Sequence, residues 1–347
     1  MTAKNYEAWD VQECDYPSQG TMQERMAFLL RYAILAPSGP NTQPWKFAVG
    51  EGAISVYADL KRSLPFVDPS NRTLFMSVGC SIANLLAAGT HFGLRPLVSY
   101  FPLGPESDPA AEIKFEEIRP QSGQAILQER DLFLQILRRH TTKDKYADRS
   151  IDESVLKSLR ECIDQPGFHV QFMTDELSRS QMAGLVSRAH HAQLSKKEFR
   201  RNLGEWLRNN WTTEPDGMPL YTFGVPDAVA FGFPAAFKEF DLSDAVIYRD
   251  SGLIQGCGAL GVLSSNQDDK TAWVKCGVML ERLLLKATGY DLYASFFSQP
   301  IGIPELRGEL EAAVGQGHPQ LLFSLGHATP VRHTPRRRLE DVMKENE

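Results

Sequence analysis

Residues 36–47 read Ala-Pro-Ser-Gly-Pro-Asn-Thr-Gln-Pro-Trp-Lys-Phe and are the most informative stretch of this 347-residue chain. Three short polar side chains, Ser38, Asn41 and Gln43, stand among three prolines, which restrict the backbone of the loop. Their hydroxyl and amide groups can be held in fixed directions, as hydrogen bonding to the edge of a planar heteroaromatic ring requires. The same pattern is also typical of a proline-rich turn before a strand, because residues of this type usually form turns and bind no ligand.

This loop resembles the Pro-Ser-x-x-Asn-x-Gln-Pro-Trp segment of the nitroreductase family, whose members are FMN-dependent oxidoreductases. In that family the loop lies against the flavin, and the two subunits of a homodimer together form each flavin site. The resemblance also implies a second, basic segment that binds the FMN phosphate. The loop residues that the resemblance places against FMN are Pro37, Ser38, Gly39, Asn41 and Gln43.

Two basic segments fit that expectation. Residues 138–143 read Arg-Arg-His-Thr-Thr-Lys and resemble the family's Arg-x-Ser-x-Lys/Arg arm, although that arm opens the chain in the family. Residues 335–339 read Pro-Arg-Arg-Arg-Leu and follow the last predicted strand, where family members carry two basic residues. Several charge-assisted donors suit a phosphate dianion, although each run alone could be a solvated helix end or a basic tail. The residues implied in phosphate binding are Arg138, Arg139, Thr141, Lys143, Arg336 and Arg338.

The chain also resembles itself. A shift of 198 residues aligns 79–94 with 277–292 without a gap, and such self-similarity indicates an internal repeat. The second copy lacks the polar loop after Pro166, and the first copy is acidic around Asp10, where a basic arm would lie. Each copy therefore lacks a different half of one composite site. The matched pairs are Gly79 and Gly277, Leu85 and Leu283, Leu86 and Leu284, Thr90 and Thr288, Leu94 and Leu292, and the aromatic pair Phe92 and Tyr290.

We therefore predict an α+β, nitroreductase-like fold of two tandem repeats packed as a pseudo-dimer, each with a mixed, mainly antiparallel sheet flanked by helices. The predicted divisions are an N-terminal extension at 1–20, a first repeat at 21–125 and a second at 126–347. The second repeat includes a long helix at 176–209, an aromatic and proline-rich segment at 210–252, and the basic tail. Because its prolines and glycines interrupt any period, 210–252 is predicted to lack regular structure. It is either a lid over the site or a packed surface excursion.

Composition limits the possible partners. A formal net charge of −6 argues against general nucleic-acid binding, which depends on a basic face. The N-terminus lacks the apolar core of a signal peptide, and no run approaches the roughly 18 apolar residues of a membrane span. We expect a cytoplasmic protein with no membrane partner, either a monomer with an internal pseudo-dimer or a weak homo-oligomer. The five cysteines form no Cys-x-x-Cys pair, so no metal site is predicted.

Two other motifs carry little weight. The stretch Gly-Cys-Gly-Ala-Leu-Gly at 256–261 matches the dinucleotide-binding pattern, but its glycines precede the predicted strand 259–265 instead of following one. His190 and His191 are adjacent, so they cannot bind one metal ion from the same face of a helix. Both histidines are predicted to be solvated.

The resemblance implies ping-pong hydride transfer from NADH or NADPH through FMN to an electron-poor small molecule, such as a nitroaromatic or a quinone. No side chain is predicted as an obligatory acid or base, since the flavin N5 carries the hydride. Gln299 falls roughly where the family brings backbone atoms to N5. Because each copy lacks half of a site, a flavin-sequestering protein with little turnover is a second hypothesis. A specialised flavin oxidase or dehalogenase is a third.

Overall fold

The computed structural model of the chain describes residues 4–117 and 124–344. The other residues, at the start of the predicted extension, the end of the predicted first repeat and the end of the tail, lie outside this described part. Two four-stranded antiparallel sheets flanked by helices form the α+β fold that the sequence predicts. Short 3-10 helices join them, including Lys4–Asp10, Gly39–Asn41, Leu220–Phe223 and Gln299–Gly302.

The N-terminal third of the chain forms the first sheet. Its elements are α1 (Met22–Ala33), β1 (Trp45–Val49), β2 (Ala53–Ala58), α2 (Arg72–His91), β3 (Leu94–Tyr100) and β4 (Ala111–Glu117). The strands pair in the order β1-β2-β4-β3, and each pairing is antiparallel. Burial alternates along β1, because successive side chains of a strand point to opposite faces.

The rest of the chain forms the second sheet and the segment around it. The four strands of this sheet are the fifth, eighth, ninth and tenth of the chain. Across the sheet they lie in the order fifth, eighth, tenth, ninth, and each neighbouring pair is antiparallel. The elements are α3 (Gln124–Phe133), α4 (Glu153–Arg160), β5 (Phe168–Met173), α5 (Glu176–Leu194), α6 (Lys197–Gly204), β6 (Leu207–Arg208), β7 (Met218–Pro219), α7 (Asp227–Ala230), α8 (Phe233–Glu239), α9 (Ser243–Gln255), β8 (Ala259–Ser265), α10 (Lys270–Gly289), β9 (Leu292–Phe296), α11 (Pro304–Val314), β10 (His318–His327) and α12 (Leu339–Val342).

The two sheets share one connectivity. In each, the first and second strands pair, the fourth strand lies beside the second, and the third strand lies at the edge. In each, a 20-residue helix, α2 or α10, connects the second strand to the third. We propose the division into two repeats on this correspondence, with the boundary near the start of α3.

The helices α2 and α10 cross at the two glycines that the self-alignment pairs. A Cβ added to Gly79 would lie 2.0 Å from the carbonyl oxygen of Val274, and one added to Gly277 would lie 1.9 Å from that of Met76. The Cys80 thiol also donates to the Gly277 carbonyl oxygen across the contact, at 3.3 Å. Only residues without a side chain allow the two backbones to approach so closely.

One helix in the described part of the chain, α2, has the length and apolar composition of a membrane-crossing segment. Its most apolar window is 83% buried inside the protein. Buried helices in the core of a protein have the same length and apolar composition, because a helix that is apolar on all sides packs inside a protein or a membrane.

The structure corrects the prediction of a single long helix at 176–209. This helix breaks between Leu194 and Lys197 into α5 and α6. The buried Arg200 side chain donates from Nη1 to the carbonyl oxygens of Leu194, at 2.5 Å, and Ser195, at 3.1 Å. Basic side chains commonly satisfy the last carbonyl groups of a helix in this way, and the break is stabilised by that contact.

The prediction that 210–252 lacks regular structure is wrong, because the segment contains α7, α8 and most of α9. Two of the prolines that suggested irregularity stand at the starts of α-helices. Pro226 is the N-cap of α7, and Pro234 lies in the first turn of α8. Proline is tolerated there because the first backbone N–H groups of a helix have no partner within the helix.

Replacing Gly79 or Gly277 with alanine should lower the free energy of unfolding by about 1–3 kcal/mol or more, the usual cost of overpacking. Gly184 in α5 is the matched control, because an added Cβ would meet nothing within 4 Å there. Gly184→Ala should stabilise the protein by about 0.5–1 kcal/mol through its better helix propensity. Urea unfolding of the three variants measures both effects. Equal effects at the three positions would contradict the close crossing.

Candidate functional site

A cavity of about 770 Å³ is lined by residues from both halves of the chain. It lies beside the polar loop that precedes β1, and it continues along α2 to the segment between α6 and α9. The structure thus brings together residues that are far apart in sequence. Nine of the twelve predicted site residues line this cavity: Pro37, Ser38, Gly39, Asn41, Arg139, Thr141, Lys143, Gln299 and Arg336.

Asn41 is at the centre of the loop and is bound to other parts of the protein. Its backbone is left-handed, with a φ of 60°, which asparagine tolerates better than most residues. Its side-chain amide donates to the carbonyl oxygens of Gly217, at 2.8 Å, and Pro335, at 3.1 Å. Its Oδ1 accepts from Arg336 Nη1 at 3.0 Å. The Asn41 side chain therefore joins the loop to the base of the segment 210–252 and to the tail.

Gln43 is the loop residue that the structure places outside the cavity lining. Its fully buried side chain donates to the Pro215 carbonyl oxygen at 2.8 Å and accepts from the Arg337 backbone N–H at 2.8 Å. Its own N–H donates to Ser38 Oγ at 2.9 Å. These bonds use both ends of the Gln43 amide to fix the loop, and its predicted flavin contact stays a prediction.

The Arg336 guanidinium is buried behind the loop. Its Nη2 donates to the carbonyl oxygens of Leu35, at 3.0 Å, and Ala36, at 3.2 Å, and its plane stacks 4.8 Å from the Trp9 ring. Burial, together with the nearby positive charge of Arg139, lowers its pKa to about 9. Arg336 lines the cavity as predicted, but most of its donors already bind protein. Its first role is to hold the loop.

Arg139 lies beside a buried carboxyl group that the sequence analysis did not assign to the site. Its Nε is 3.3 Å from Oε1 of Glu281 in α10, and both side chains are almost completely buried. Burial raises the pKa of Glu281 to about 8, and the charges of Arg139 and Arg336 oppose that rise. Arg139 and Arg336, from distant parts of the chain, therefore act on the same carboxyl group.

Two predicted phosphate ligands lie outside the cavity lining. Arg138 is exposed and pairs with Asp291 at 2.8 Å, and Arg338 is exposed and pairs with Asp341 at 3.3 Å. Arg338 is the N-cap of α12, so the chain turns there and its side chain faces the first turn of that helix. Arg337 is turned inward instead and binds the carbonyl oxygen of Gln43 at 3.1 Å. The cavity therefore does not bring Arg138 and Arg338 together with the other predicted residues, and their phosphate contacts stay predictions.

Three aromatic side chains at the cavity escaped the sequence analysis. Trp9, from the acidic N-terminal extension, stacks on His333 with ring centroids 3.9 Å apart. His140 stacks on Tyr293 at 4.0 Å. Burial lowers the pKa of both histidines to about 4, so they are neutral at pH 7. Trp9 was not predicted as a site residue because the residues around Asp10 are acidic. The two histidines were not predicted because neither belongs to a recognisable motif.

The segment 210–252 supplies much of the apolar lining. Phe223, Phe233 and Phe237 line the cavity with aliphatic neighbours, and Phe237 is buried in a cluster with residues of α5 and α6. These contacts favour the lid interpretation over the surface excursion, because the segment covers the cavity. We call 210–252 the lid.

The lid also carries the partner of a histidine. His190 in α5 was predicted to be solvated, but it is 4% exposed and its Nε2 lies 2.9 Å from Oδ2 of Asp250 in α9. His191, its neighbour, is exposed as predicted. Successive residues of a helix point in different directions, so one histidine faces the cavity while the other faces solvent.

Curated proteins of similar sequence span nearly the whole chain. The protein named "Putative NAD(P)H nitroreductase Rv3131" of Mycobacterium tuberculosis strain H37Rv is 24% identical over 344 residues, covering 92% of this chain and 91% of the relative. The protein named "Putative NAD(P)H nitroreductase acg" of the same strain is 24% identical over 324 residues, covering 90% and 93%. The chain is thus similar, over nearly its whole length, to proteins named as putative NAD(P)H nitroreductases.

Solved structures overlap with a smaller part of this chain. The nitroreductase with bound FMN from Desulfitobacterium hafniense DCB-2 is 14% identical, with a TM-score of 0.39, and covers 62% of this chain and 98% of its own. The FMN and NADPH-dependent nitroreductase NfnB from sphigopyxis sp. strain HMH is 15% identical, with a TM-score of 0.40, and covers 62% and 99%. No family model matches the chain.

Glu281→Gln should change how stability depends on pH. The folded protein keeps the Glu281 proton up to a pKa of about 8, whereas the unfolded chain loses it near 4.5. Stability should therefore fall as pH rises through this window, by up to about 1.4 kcal/mol per pH unit relative to the glutamine variant. Urea unfolding of both proteins at pH 5, 6, 7 and 8 measures the difference. If the stabilities of the two proteins change in parallel with pH, the pKa of Glu281 is not raised in the folded protein.

Proposed function

We propose that this chain is an FMN-dependent NAD(P)H oxidoreductase that transfers hydride to an electron-poor small molecule. The observation that carries the proposal is that one cavity contains both the loop from the first half and the arm of Arg139, Thr141 and Lys143 from the second half. The printed names of the full-length relatives, which include NAD(P)H nitroreductase, support the same class of reaction.

The cavity offers suitable partners for FMN. Several buried polar atoms in its lining have no hydrogen-bond partner among the described residues, and a polar ligand would satisfy them. The ion pair of Arg139 with Glu281 is made through Nε, so its two terminal nitrogens would be the donors to a phosphate. The buried atoms of the lining without a hydrogen-bond partner include His140 Nε2, Gln193 Oε1, Gln299 Oε1, His333 Nδ1 and Arg336 Nε.

The protein's part is to hold the cofactor and to control its surroundings. Arg139, Thr141 and Lys143 would bind its polar end, and the rigid loop around Ser38 would lie against the ring. Burial lowers the pKa of Lys143 to about 8, so its ammonium group loses its charge more easily than a solvated lysine does. When bound, FMN supplies the hydride chemistry that the side chains lack. The apolar lid limits the access of water to the same space.

The lid also supports the second hypothesis, a protein that holds flavin with little turnover. Its helices pack with residues of α5 and α6 into an apolar cluster beside the cavity. A lid that stays closed would exclude the nicotinamide and the acceptor as well as water. The two hypotheses therefore differ in whether a reductant reaches bound FMN.

Anaerobic addition of NADH or NADPH to the FMN-loaded protein separates these hypotheses. For an oxidoreductase, the yellow absorbance of the bound flavin should disappear, and it should return when a quinone is added. Dithionite bleaching serves as the control that the flavin is reducible. If dithionite bleaches the flavin and neither nicotinamide does, the flavin-holding hypothesis replaces the enzyme.

Arg139→Ala should weaken FMN binding by about 1.5–3 kcal/mol, or roughly 10-fold to 150-fold, the range for a hydrogen bond to a charged group. Arg138→Ala is the matched control, since the neighbouring arginine is exposed and paired with Asp291. It should leave FMN affinity unchanged. Fluorescence titration of each apoprotein with FMN gives the dissociation constants. Equal affinities in both variants would remove Arg139 from the site.

A further inference from the structure

A buried histidine and aspartate lie in the cavity wall away from the loop and the arm. His190 in α5 and Asp250 in α9 both line the cavity, and His190 Nε2 lies 2.9 Å from Asp250 Oδ2. This contact engages Nε2 and leaves Nδ1 as the second nitrogen of the ring. The histidine is thus fixed through one nitrogen, and the other would be the one to meet a ligand in the cavity.

The surroundings keep Asp250 ionised. Its Oδ1 accepts from Arg249 in the same helix, at 2.7 Å from Nη2. Burial alone would raise the pKa of Asp250, but the His190 hydrogen bond and the charges of Lys143 and Arg249 hold it well below its usual range. The 3-10 helix that packs against α5 contributes Gln299, which adds an amide and no charge.

A carboxylate held in this way has two effects on an imidazole. It fixes the tautomer, because Nε2 must carry the proton that Asp250 accepts, and it stabilises the positively charged ring after a second proton binds at Nδ1. The same arrangement orients a histidine for proton transfer in other enzymes, where the carboxylate itself keeps its charge. A structural pairing alone would not require the histidine to line the cavity.

We propose that His190, oriented by Asp250, donates a proton to the electron acceptor during its reduction. This role rests on the proposed function. A quinone becomes a hydroquinone when it gains one hydride, with its two electrons, and one proton. The imidazolium would supply that proton from Nδ1, break its N–H bond as the new O–H bond forms, and remain as the neutral ring with Nε2–H bound to Asp250. Solvent then returns the proton.

The lid supplies the carboxylate, and α5 supplies the histidine. Proton donation therefore depends on the position of α9 over the cavity, and a closed lid is the catalytic state. Asp250 acts through His190, so it is a positioning residue, whereas His190 contacts the acceptor itself.

Two acceptors with different proton requirements test this role. FMN-loaded His190→Gln is reduced anaerobically with dithionite, so that the test does not depend on nicotinamide, and is then mixed with benzoquinone or with ferricyanide. Ferricyanide takes electrons without protons. Reoxidation by benzoquinone should slow by at least 100-fold, the lower range for general acid catalysis, while reoxidation by ferricyanide stays within about twofold.

Matched variants complete the test. His191→Gln, on the exposed neighbour, should match the natural protein with both acceptors. Asp250→Asn should also slow the benzoquinone reaction selectively, and it provides a second variant if His190→Gln does not fold. The solvent deuterium isotope effect on the benzoquinone reaction should fall in His190→Gln. In the natural apoprotein, hydroquinone should shift the imidazole ¹⁵N resonances of His190.

Equal slowing with both acceptors would overturn the proposal, since the residue would then affect electron transfer or cofactor binding in general. Unchanged rates with benzoquinone would overturn it too. Failure of the proposed function looks different, because the natural protein would then fail to bind FMN or to be reduced by NADH or NADPH.

Discussion

The close contact between α2 and α10 is the constraint on which the other features depend. At Gly79 and Gly277 the helix backbones touch, so each half of the chain fixes the position of the other. The cavity is lined by residues on both sides of this contact, including Cys80 and Leu280. A larger separation of the helices would move the arm of one half away from the loop of the other. The predicted composite site therefore depends on glycine at these two positions as much as on its charged side chains.

The loop before β1 is held in shape by hydrogen bonds to other parts of the protein. Asn41 and Gln43 direct their amides at protein carbonyl groups, and Arg336 fills the space behind them. Buried amides need partners, because an unsatisfied polar group costs roughly 1–3 kcal/mol. The loop is consequently preorganised, and the groups left for a cofactor are those at its surface, such as Ser38.

Sequence reasoning was strongest where local pattern decides the structure. The self-alignment of 79–94 with 277–292 predicted the repeat, and the structure places α2 and α10 at these two segments. Sequence reasoning was weakest where two adjacent residues are of the same type and only one of them points into the protein. Nothing local decides that Arg139 faces the cavity and Arg138 solvent, or that Arg337 and not Arg338 turns inward. That choice depends on packing partners such as Glu281, which are distant in sequence. In the lid, prolines at helix starts were mistaken for signs of irregularity.

The bonds around Asn41 have a consequence for the order in which the protein is made. Asn41 is synthesised early, its partner Gly217 much later, and its partners Pro335 and Arg336 close to the end of the described chain. During translation the first sheet can form while the loop still lacks these partners. Contacts so distant in sequence are slow to form, because a long loop must close before they stabilise anything. The contacts that join the loop to the tail can therefore form only after the residues of the first sheet, and of the second, have been made.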